Sequence, residues 1–259
     1  MPACSTGPSY ALAVGAAGEL WARCIHEPDK GSLLQIQDGK IIADSPVAKF
    51  SATFYDSAGT LWPGGPDKVA SFDGHAMMVT ALPDELDGPE VQALAKDGSG
   101  ALWVSVVRRG VYRFLSGQWV AYGAIGLPRE PAIVETSDDD GGVWFGYTGN
   151  RIEHLRDQAL QHFTAADGLD VGNATAIHRA FGQVWVGGEL GFSQLHVTRF
   201  YSIRTASANS IKGISGIAST KSGDGPNPVT ANRAPIAWKR LSQEPNGSAT
   251  EHLSGFFLP

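Results

Sequence analysis

Short alternating runs of apolar and polar residues, separated by turns rich in glycine and aspartate, fill most of the chain. The pattern is cleanest over residues 90–123, EVQALAKDGSGALWVSVVRRGVYRFLSGQWVAYG, where four such runs are joined by DGSG, RRG and SG. Alternation with a period of two is typical of half-buried strands, and Gly or Asp-Gly turns are typical of hairpins. Because no segment of ten or more residues shows helical periodicity, the pattern predicts an all-β protein of four-stranded antiparallel units.

A tryptophan recurs every 41 residues, each time with a glycine three positions before it and an aliphatic residue directly before it. The series comprises Trp21, Trp62, Trp103, Trp144 and Trp185. A repeat of about 40 residues that holds four strands is the unit of a β-propeller blade. We therefore predict five blades over residues 9–213, with the tryptophan on the second strand of each blade and its ring packed between neighbouring blades.

A sixth repeat starts at residues 214–224 and does not continue. The segment that follows, 225–259, has three prolines in its first eleven residues and no alternating pattern, and proline is poorly tolerated inside a sheet. We interpret 225–259 as an irregular tail foreign to the repeat, and the chain as a fragment of a longer protein or a truncated or frame-altered gene product. Five blades and a partial sixth predict an exposed strand edge, with poor solubility or dimerisation; a monodisperse monomer would favour a closed five-bladed ring.

Composition and charge narrow the range of functions. The formal net charge is −6 and the basic residues are scattered, which disfavours binding to a nucleic acid backbone. No apolar run reaches the roughly 18 residues of a membrane-spanning helix, and the N-terminus lacks the basic region of a signal peptide. Cys4 and Cys24 are the two cysteines, and we expect them to be unrelated thiols rather than a disulfide or a metal site.

Residues 162–196, HFTAADGLDVGNATAIHRAFGQVWVGGELGFSQLH, resemble the two-component regulator propeller repeat. In that family F-T-x-x-D-G-L ends one blade, and G-x-[IVL]-W-[IV]-G-T-x-x-G-[IL] forms the next. The segments ALWVSVVRRGVYRF and VWFGYTGNRIEHL resemble the same element, so the likeness extends over about residues 9–224. The sequence departs from the family at Gly188, where a threonine is usual, and in the first blade, which carries an insertion between strands.

Proteins of this family are typically bacterial sensors, with periplasmic propellers followed by an immunoglobulin-like domain, one membrane span and a cytoplasmic histidine kinase. The resemblance implies that this chain is a non-catalytic sensor region, periplasmic in full-length relatives, that binds a small molecule or a homodimer partner and feeds a phosphorelay. Kinase activity would belong to other domains, since the chain has neither a phosphoacceptor box nor a Gly-rich ATP lid. The chain is therefore expected not to be an enzyme and to need no cofactor.

Polar residues recur five and six positions after the tryptophans, where a propeller blade turns from its second to its third strand. If equivalent turns share one rim, they bring together Asp67, Lys68, Arg108, Arg109 and Asn150. The two arginines could hold a carboxylate or a sugar acid. The alternative is that these turn residues are polar because they are solvated. The seven histidines show no metal-ligand spacing, so no metal site is predicted.

Two other functions stay open. Propeller enzymes of the streptogramin-lyase type have a similar period; RIEHL at residues 151–155 is the nearest match to their third strand, but their W-F-T-E turn does not occur here. The other is a non-functional, truncated gene product, which the foreign tail at 225–259 suggests.

Overall fold

The computed structural model describes residues 12–15, 18–27, 30–48, 50–86, 88–122, 126–180, 182–204, 238–240 and 252–254. The chain divides into two compact units, residues 1–219 and 220–259. In the first unit the described residues form five four-stranded sheets, with single turns of 3-10 helix at Asp84–Leu86 and Ala165–Asp167. In the second unit they form one antiparallel pair of short strands.

Each four-stranded sheet is an antiparallel meander, with its strands hydrogen-bonded in chain order. Sheet 1 contains β1 (Leu12–Val14), β2 (Leu20–Glu27), β3 (Lys30–Gln37) and β4 (Lys40–Ala48). Sheet 2 contains β5 (Ala52–Tyr55), β6 (Leu61–Gly64), β7 (Lys68–Phe72) and β8 (Met77–Ala81). Sheet 3 contains β9 (Val91–Lys96), β10 (Leu102–Val106), β11 (Gly110–Leu115) and β12 (Gln118–Ala121). Sheet 4 contains β13 (Val134–Ser137), β14 (Val143–Gly146), β15 (Ile152–Arg156) and β16 (Ala159–Phe163). Sheet 5 contains β17 (Ala174–Ala180), β18 (Gln183–Gly188), β19 (Gly191–His196) and β20 (Arg199–Arg204), and the second unit contains β21 (Trp238–Arg240) and β22 (His252–Ser254).

The recurring glycine before each tryptophan makes the turn between the first and second strands. All five of these glycines adopt a positive φ, between 75° and 86°. That region is accessible to glycine at little cost and is costly for residues with a side chain. The glycines are Gly18, Gly59, Gly100, Gly141 and Gly182. The sequence period is therefore the period of one backbone turn.

The first strands of successive sheets contact one another in the order β1, β5, β9, β13 and β17. Hydrophobic clusters fill the spaces between sheets 1 and 2, 2 and 3, 3 and 4, and 4 and 5. Trp103 lies in the third of these clusters, where its ring meets the edge of Phe145 from the next sheet at 5.3 Å between centroids. Four-stranded sheets that pack face to face, with their first strands adjacent about a common axis, form a β-propeller. The 41-residue repeat predicts this fold.

The tryptophans of the first four sheets pack in these spaces, as predicted. Trp21, Trp103 and Trp144 are fully buried, and Trp62 is partly buried against its cluster. Trp185 lies in sheet 5, the last described sheet of the propeller, and is half-buried. The tryptophan rings of the first four sheets thus fill the space between their own sheet and the sheet that follows it in the chain.

Hydrogen bonds between sheets fix their spacing. The Ser51 hydroxyl donates to the Val91 carbonyl at 2.6 Å, which links the first strands of sheets 2 and 3. The Ser137 hydroxyl donates to the Lys96 carbonyl at 2.7 Å and accepts from the Lys96 N–H at 3.0 Å, which links sheets 3 and 4. Such bonds satisfy backbone groups that the meanders leave unpaired at their inner edges.

Two sequence predictions fall partly or wholly on undescribed residues. The boundaries 9–213, 214–224 and 225–259 stay predictions, since residues 205–237 lie outside the described part of the chain. Cys24 is buried in β2 and is disulfide-bonded, so the expectation of two unrelated thiols is wrong; Cys4, the other cysteine in the sequence, lies outside the described residues. Within the part of the chain that the structure describes, no helix is long and apolar enough to cross a membrane.

Candidate functional site

Because each sheet is an antiparallel meander, its successive turns lie alternately at two opposite edges of the propeller. The turns between second and third strands share one edge with the segments that lead from one sheet to the next, and we call this the connection edge. The turns between first and second strands share the other edge, which we call the tryptophan-turn edge. All five residues predicted to bind a ligand, Asp67, Lys68, Arg108, Arg109 and Asn150, lie at the connection edge of sheets 2, 3 and 4.

Arg108 and Arg109 occupy the turn between β10 and β11. Arg108 adopts a positive φ of 62°, and the Arg109 N–H donates to the Val106 carbonyl at 2.9 Å, which closes the turn. The Val107 N–H donates to the Glu90 carbonyl at 3.0 Å and ties the turn to the segment before sheet 3. Both arginine side chains are exposed, and no ion pair to either occurs among the described residues. The backbone thus presents two uncompensated guanidinium groups on a fixed turn.

Asp67 and Lys68 end the turn between β6 and β7. They form an ion pair with each other, with 3.3 Å between Lys68 Nζ and Asp67 Oδ1. The Asp67 carbonyl accepts from the Leu82 N–H at 2.9 Å, so this turn is also tied to a connecting segment. No hydrogen bond or ion pair joins Asp67 or Lys68 to Arg108, Arg109 or Asn150 within the described residues. The two charges compensate each other locally.

Asn150 holds the connection between sheets 4 and 5. Its side-chain oxygen accepts from the N–H groups of Val171 at 2.7 Å and Gly172 at 2.6 Å, and its own N–H donates to the Gly172 carbonyl at 2.7 Å. It adopts a positive φ of 60°, a conformation that asparagine tolerates better than most residues. Because backbone N–H groups occupy the amide oxygen of Asn150, this side chain stabilises the connection between sheets 4 and 5.

A third arginine lies beside the Arg108–Arg109 turn, and sequence reasoning missed it. Gly110 follows Arg109 directly, and a Cβ built on Gly110 would lie 2.9 Å from the carbonyl oxygen of Arg129. The segment between sheets 3 and 4 therefore runs against the turn. Arg129 is exposed, and its neighbour Glu130 is ion-paired with Arg151. The positions 41 residues before and after Arg129 hold Gly88 and Asp170, so no repeat signal marks Arg129.

Buried acids lie in sheet 4 beneath the same edge. Glu135, Phe145, Glu153 and His162 form one cross-strand row, and Tyr147 follows Phe145 on the same face two residues later. Burial raises the pKa of Glu135 well above its ordinary value, and neither of its side-chain oxygens has a hydrogen-bond partner among the described residues. Burial also raises the pKa of Glu153, partly offset by its ion pair with His162.

The pKa of Tyr147 depends on both buried acids, Glu135 and Glu153. The Tyr147 hydroxyl is buried and has no hydrogen-bond partner in the described part of the chain, and burial together with the charges of Glu135 and Glu153 raises its pKa. The Arg151 guanidinium lies 5.2 Å from the centroid of the Tyr147 ring. A carboxyl group kept from water with no cation to pair with it favours its neutral form, so Glu135 is a buried proton-binding group.

The tryptophan-turn edge is held by aspartates that sequence reasoning also missed. Asp56, Asp97 and Asp138 recur every 41 residues, six positions before a tryptophan, and the period that identifies the tryptophans would have identified them. The side chains of Asp56 and Asp97 accept from the tryptophan Nε1 and from backbone N–H groups of the turn. For Asp56, burial alone would raise the pKa, but bonds from Thr60, Trp62 and Lys96 lower it below its ordinary value.

Asp138 collects three partners at the boundary of sheets 4 and 5. It accepts from Trp144 Nε1 at 3.1 Å, lies 3.0 Å from His154 Nε2, and is ion-paired with Arg179 of the next sheet. His154 stacks on the Trp144 ring at 3.9 Å, and burial lowers its pKa despite the Asp138 carboxylate. This cluster is a packed joint between sheets.

A cleft of about 600 Å³ opens at the tryptophan-turn edge between sheets 3 and 4. Its charged lining includes two ion pairs, Arg113 with Asp97 at 3.3 Å and Arg156 with Asp140 at 3.4 Å, and Asp157 lies 3.6 Å from Arg156. The arginines of this cleft are compensated, in contrast to Arg108 and Arg109 at the connection edge. Among the described residues, no group of three or more His, Cys, Asp or Glu side chains is placed to hold a metal ion.

No protein-family model matches the chain, and no curated protein matches its sequence. Among solved structures, the chain is similar to the extracellular domain ascribed to the hybrid two-component system BT3049 of B. thetaiotaomicron, with a TM-score of 0.60 and 18% identity over 77% of this chain and 28% of that chain. It is also similar to the extracellular domain ascribed to the one-component system BT4673 of the same organism, with a TM-score of 0.57 and 15% identity over 78% of this chain and 32% of that one.

A protein of unknown function from Bacteroides caccae has a TM-score of 0.58 and 11% identity over 78% of this chain and 83% of that chain. The chain therefore spans less than a third of the length of the two extracellular domains and most of the length of the third protein. At these identities the likeness establishes the β-propeller fold alone. The extracellular domains ascribed to the two sensor systems have the same fold.

Proposed function

We propose that this chain is a non-catalytic recognition module, whose connection edge binds a small molecule or a protein partner as part of the extracytoplasmic input region of a two-component sensor. The observation that carries the proposal is the pair of exposed, unpaired guanidinium groups of Arg108 and Arg109 on a turn fixed by backbone hydrogen bonds. A turn whose backbone is already ordered loses less entropy on binding than a mobile turn does, which favours recognition.

Two further observations support this proposal. The propellers similar to this chain include extracellular domains ascribed to two-component and one-component systems. The turns at the connection edge are joined by hydrogen bonds to the segments between sheets, as Asp67 is to Leu82 and Asn150 is to Val171. A ligand that touches one turn therefore also acts on the joint between two sheets, which is a route by which occupancy could reach an output domain elsewhere in a sensor.

The test is a thermal-shift and calorimetric screen of sugars, sugar acids and short peptides, together with measurement of the oligomeric state. We expect at least one class to raise the melting temperature of the native chain, and the double variant R108A/R109A to lose that shift. Arg199→Ala is the matched control, because Arg199 is an exposed arginine on β20, away from this turn. A chain that binds none of these compounds and stays monomeric at all concentrations would overturn the proposal.

A further inference from the structure

Three arginines lie on two backbone segments that contact each other at the connection edge. Arg108 and Arg109 are adjacent in the turn, and Gly110, the next residue, packs against the backbone carbonyl of Arg129. A Cβ on Gly110 would lie 2.9 Å from that oxygen, so the two backbone segments are in contact. Since an arginine side chain is longer than that separation, the three guanidinium groups can reach one ligand.

The described residues do not neutralise these charges. Eight arginine side chains are described, and four of them are ion-paired: Arg113 with Asp97, Arg151 with Glu130, Arg156 with Asp140, and Arg179 with Asp138. Arg108, Arg109 and Arg129 have no such partner in the described part of the chain, and all three are exposed. Arg199, on β20, is the fourth without one. Three of the four uncompensated guanidinium groups therefore lie together, on a chain whose formal net charge is −6.

Among the described residues, two acids near this arginine cluster form no ion pair with it. Burial raises the pKa of Tyr112, the charge of Glu85 raises it further and the charge of Arg109 lowers it, so both charges act on the same hydroxyl group. Glu130 follows Arg129 but is paired with Arg151. Like charges held close together repel each other, and the repulsion is relieved when an anion binds between them. Three exposed arginines on contacting segments therefore favour an anion as the ligand.

We propose that Arg108, Arg109 and Arg129 form a binding site for a small multivalent anion, a molecule with two or more carboxylate, phosphate or sulfate groups. The planar guanidinium group donates two parallel hydrogen bonds to such groups, and several acidic groups offer enough acceptor oxygens for three arginines, whereas the two oxygens of a single carboxylate do not. This inference rests on the proposed function, because it names the ligand class of the same edge and adds Arg129 to the site.

The test uses calorimetry on the native chain with citrate, pyrophosphate and a disulfated disaccharide as probes and acetate as the monovalent reference. We expect at least one multivalent probe to bind more tightly than acetate, with an affinity that falls as salt rises. Arg129→Ala should weaken that binding by roughly ten- to a hundredfold, the loss expected for a charge-assisted hydrogen bond. Arg129→Lys keeps the charge but not the paired donors and should fall in between. Arg199→Ala should bind as the native chain does.

The results separate this inference from the proposed function. If a neutral sugar or a peptide binds and R108A/R109A abolishes its binding, while all multivalent anions bind no better than acetate, the anion site is wrong and the recognition module stands. Equal binding of citrate, pyrophosphate or the disulfated disaccharide by Arg129→Ala and the native chain would also overturn the anion site. Because the Arg129 side chain is exposed, melting curves of the variant should match those of the native chain, and they check that the loss is not unfolding.

Discussion

The indole N–H of Trp103 donates to Asp97 Oδ2 at 2.9 Å, and the other oxygen of the same carboxylate accepts from the backbone N–H groups of Ser99 at 2.9 Å and Ala101 at 3.0 Å. One side chain therefore ties the buried ring of a sheet to the turn that enters it. Burial alone would raise the pKa of Asp97, but hydrogen bonds from Ser99, Trp103 and Ala101 and the charge of Arg113 lower it. The ionised form is the one that holds the turn.

Asp97→Ala should lower the free energy of unfolding by about 3 kcal/mol, because it leaves the Trp103 and turn N–H donors without an acceptor. Urea denaturation followed by tryptophan fluorescence measures this loss. Asp139→Ala is the control, since Asp139 lies in the corresponding turn of sheet 4 and its side chain is 86% exposed. We expect the control to stay within about 0.5 kcal/mol of the native chain. Equal losses in both variants would show that the carboxylate does not organise the turn.

The sequence is informative where one physical requirement repeats. Each blade needs a positive-φ turn and a large ring between sheets, so glycine and tryptophan recur at fixed spacing and the propeller can be predicted. Asp97 and its equivalents obey the same period. Arg129 does not, because the positions 41 residues before and after it hold Gly88 and Asp170. What repeats in the connecting segments is a buried leucine, as at Leu86 and Leu127. Whether a polar turn residue faces solvent or holds a backbone, as Asn150 does, depends on contacts between sheets that local patterns do not encode.

Substitutions at Asn150 test whether its side chain stabilises the connection between sheets 4 and 5. Asn150→Ala should destabilise the chain by about 2 kcal/mol, because the N–H groups of Val171 and Gly172 lose their acceptor and alanine is strained at positive φ. Asn150→Asp keeps an acceptor oxygen and should retain most of the stability. Thermal melts of the two variants give the comparison. If alanine and aspartate behave alike, the side-chain oxygen is not what holds the connection between sheets 4 and 5.

The buried carboxyl of Glu135 predicts a pH dependence with a defined sign. Its folded-state pKa lies well above the ordinary value of 4.5 because of burial, so the folded state retains a proton that the unfolded state releases. Stability from this group is therefore complete below about pH 4.5 and is lost as pH rises toward the folded pKa. Glu135→Gln cannot ionise and should escape that loss.

We therefore expect Glu135→Gln to match the native chain near pH 4 and to be more stable at pH 7, by on the order of 1–3 kcal/mol. Chemical denaturation at a series of pH values gives the difference curve, and its slope reports the proton released on unfolding. Asp139→Asn removes an exposed acid from the same sheet and should give a curve close to flat. A flat curve for Glu135→Gln as well would mean that Glu135 ionises normally in the folded chain.

Two glycines test how closely the Arg129 segment packs on the turn of sheet 3. Gly110 and Gly117 both have a positive φ, 96° and 80°, but a Cβ at Gly110 would lie 2.9 Å from the Arg129 carbonyl oxygen, whereas a Cβ at Gly117 would have nothing within 4 Å. Gly117→Ala should therefore cost only the backbone strain, about 1 kcal/mol. Gly110→Ala should cost roughly 2–4 kcal/mol, because a backbone segment must also move.

The same pair of variants bears on ligand binding. When the connection shifts away from residue 110, Arg129 moves with it, so Gly110→Ala should weaken citrate or pyrophosphate binding at temperatures where the variant remains folded. Gly117→Ala leaves the segment in place and should bind as the native chain does. Melting curves and calorimetry on the same samples measure both effects. A clash with a backbone carbonyl cannot be relieved without moving the segment that carries it, so Gly110→Ala must displace Arg129 if the two segments are in contact. If the two alanine variants instead lose equal stability and bind the anions equally well, the close approach of Gly110 to Arg129 does not position the site.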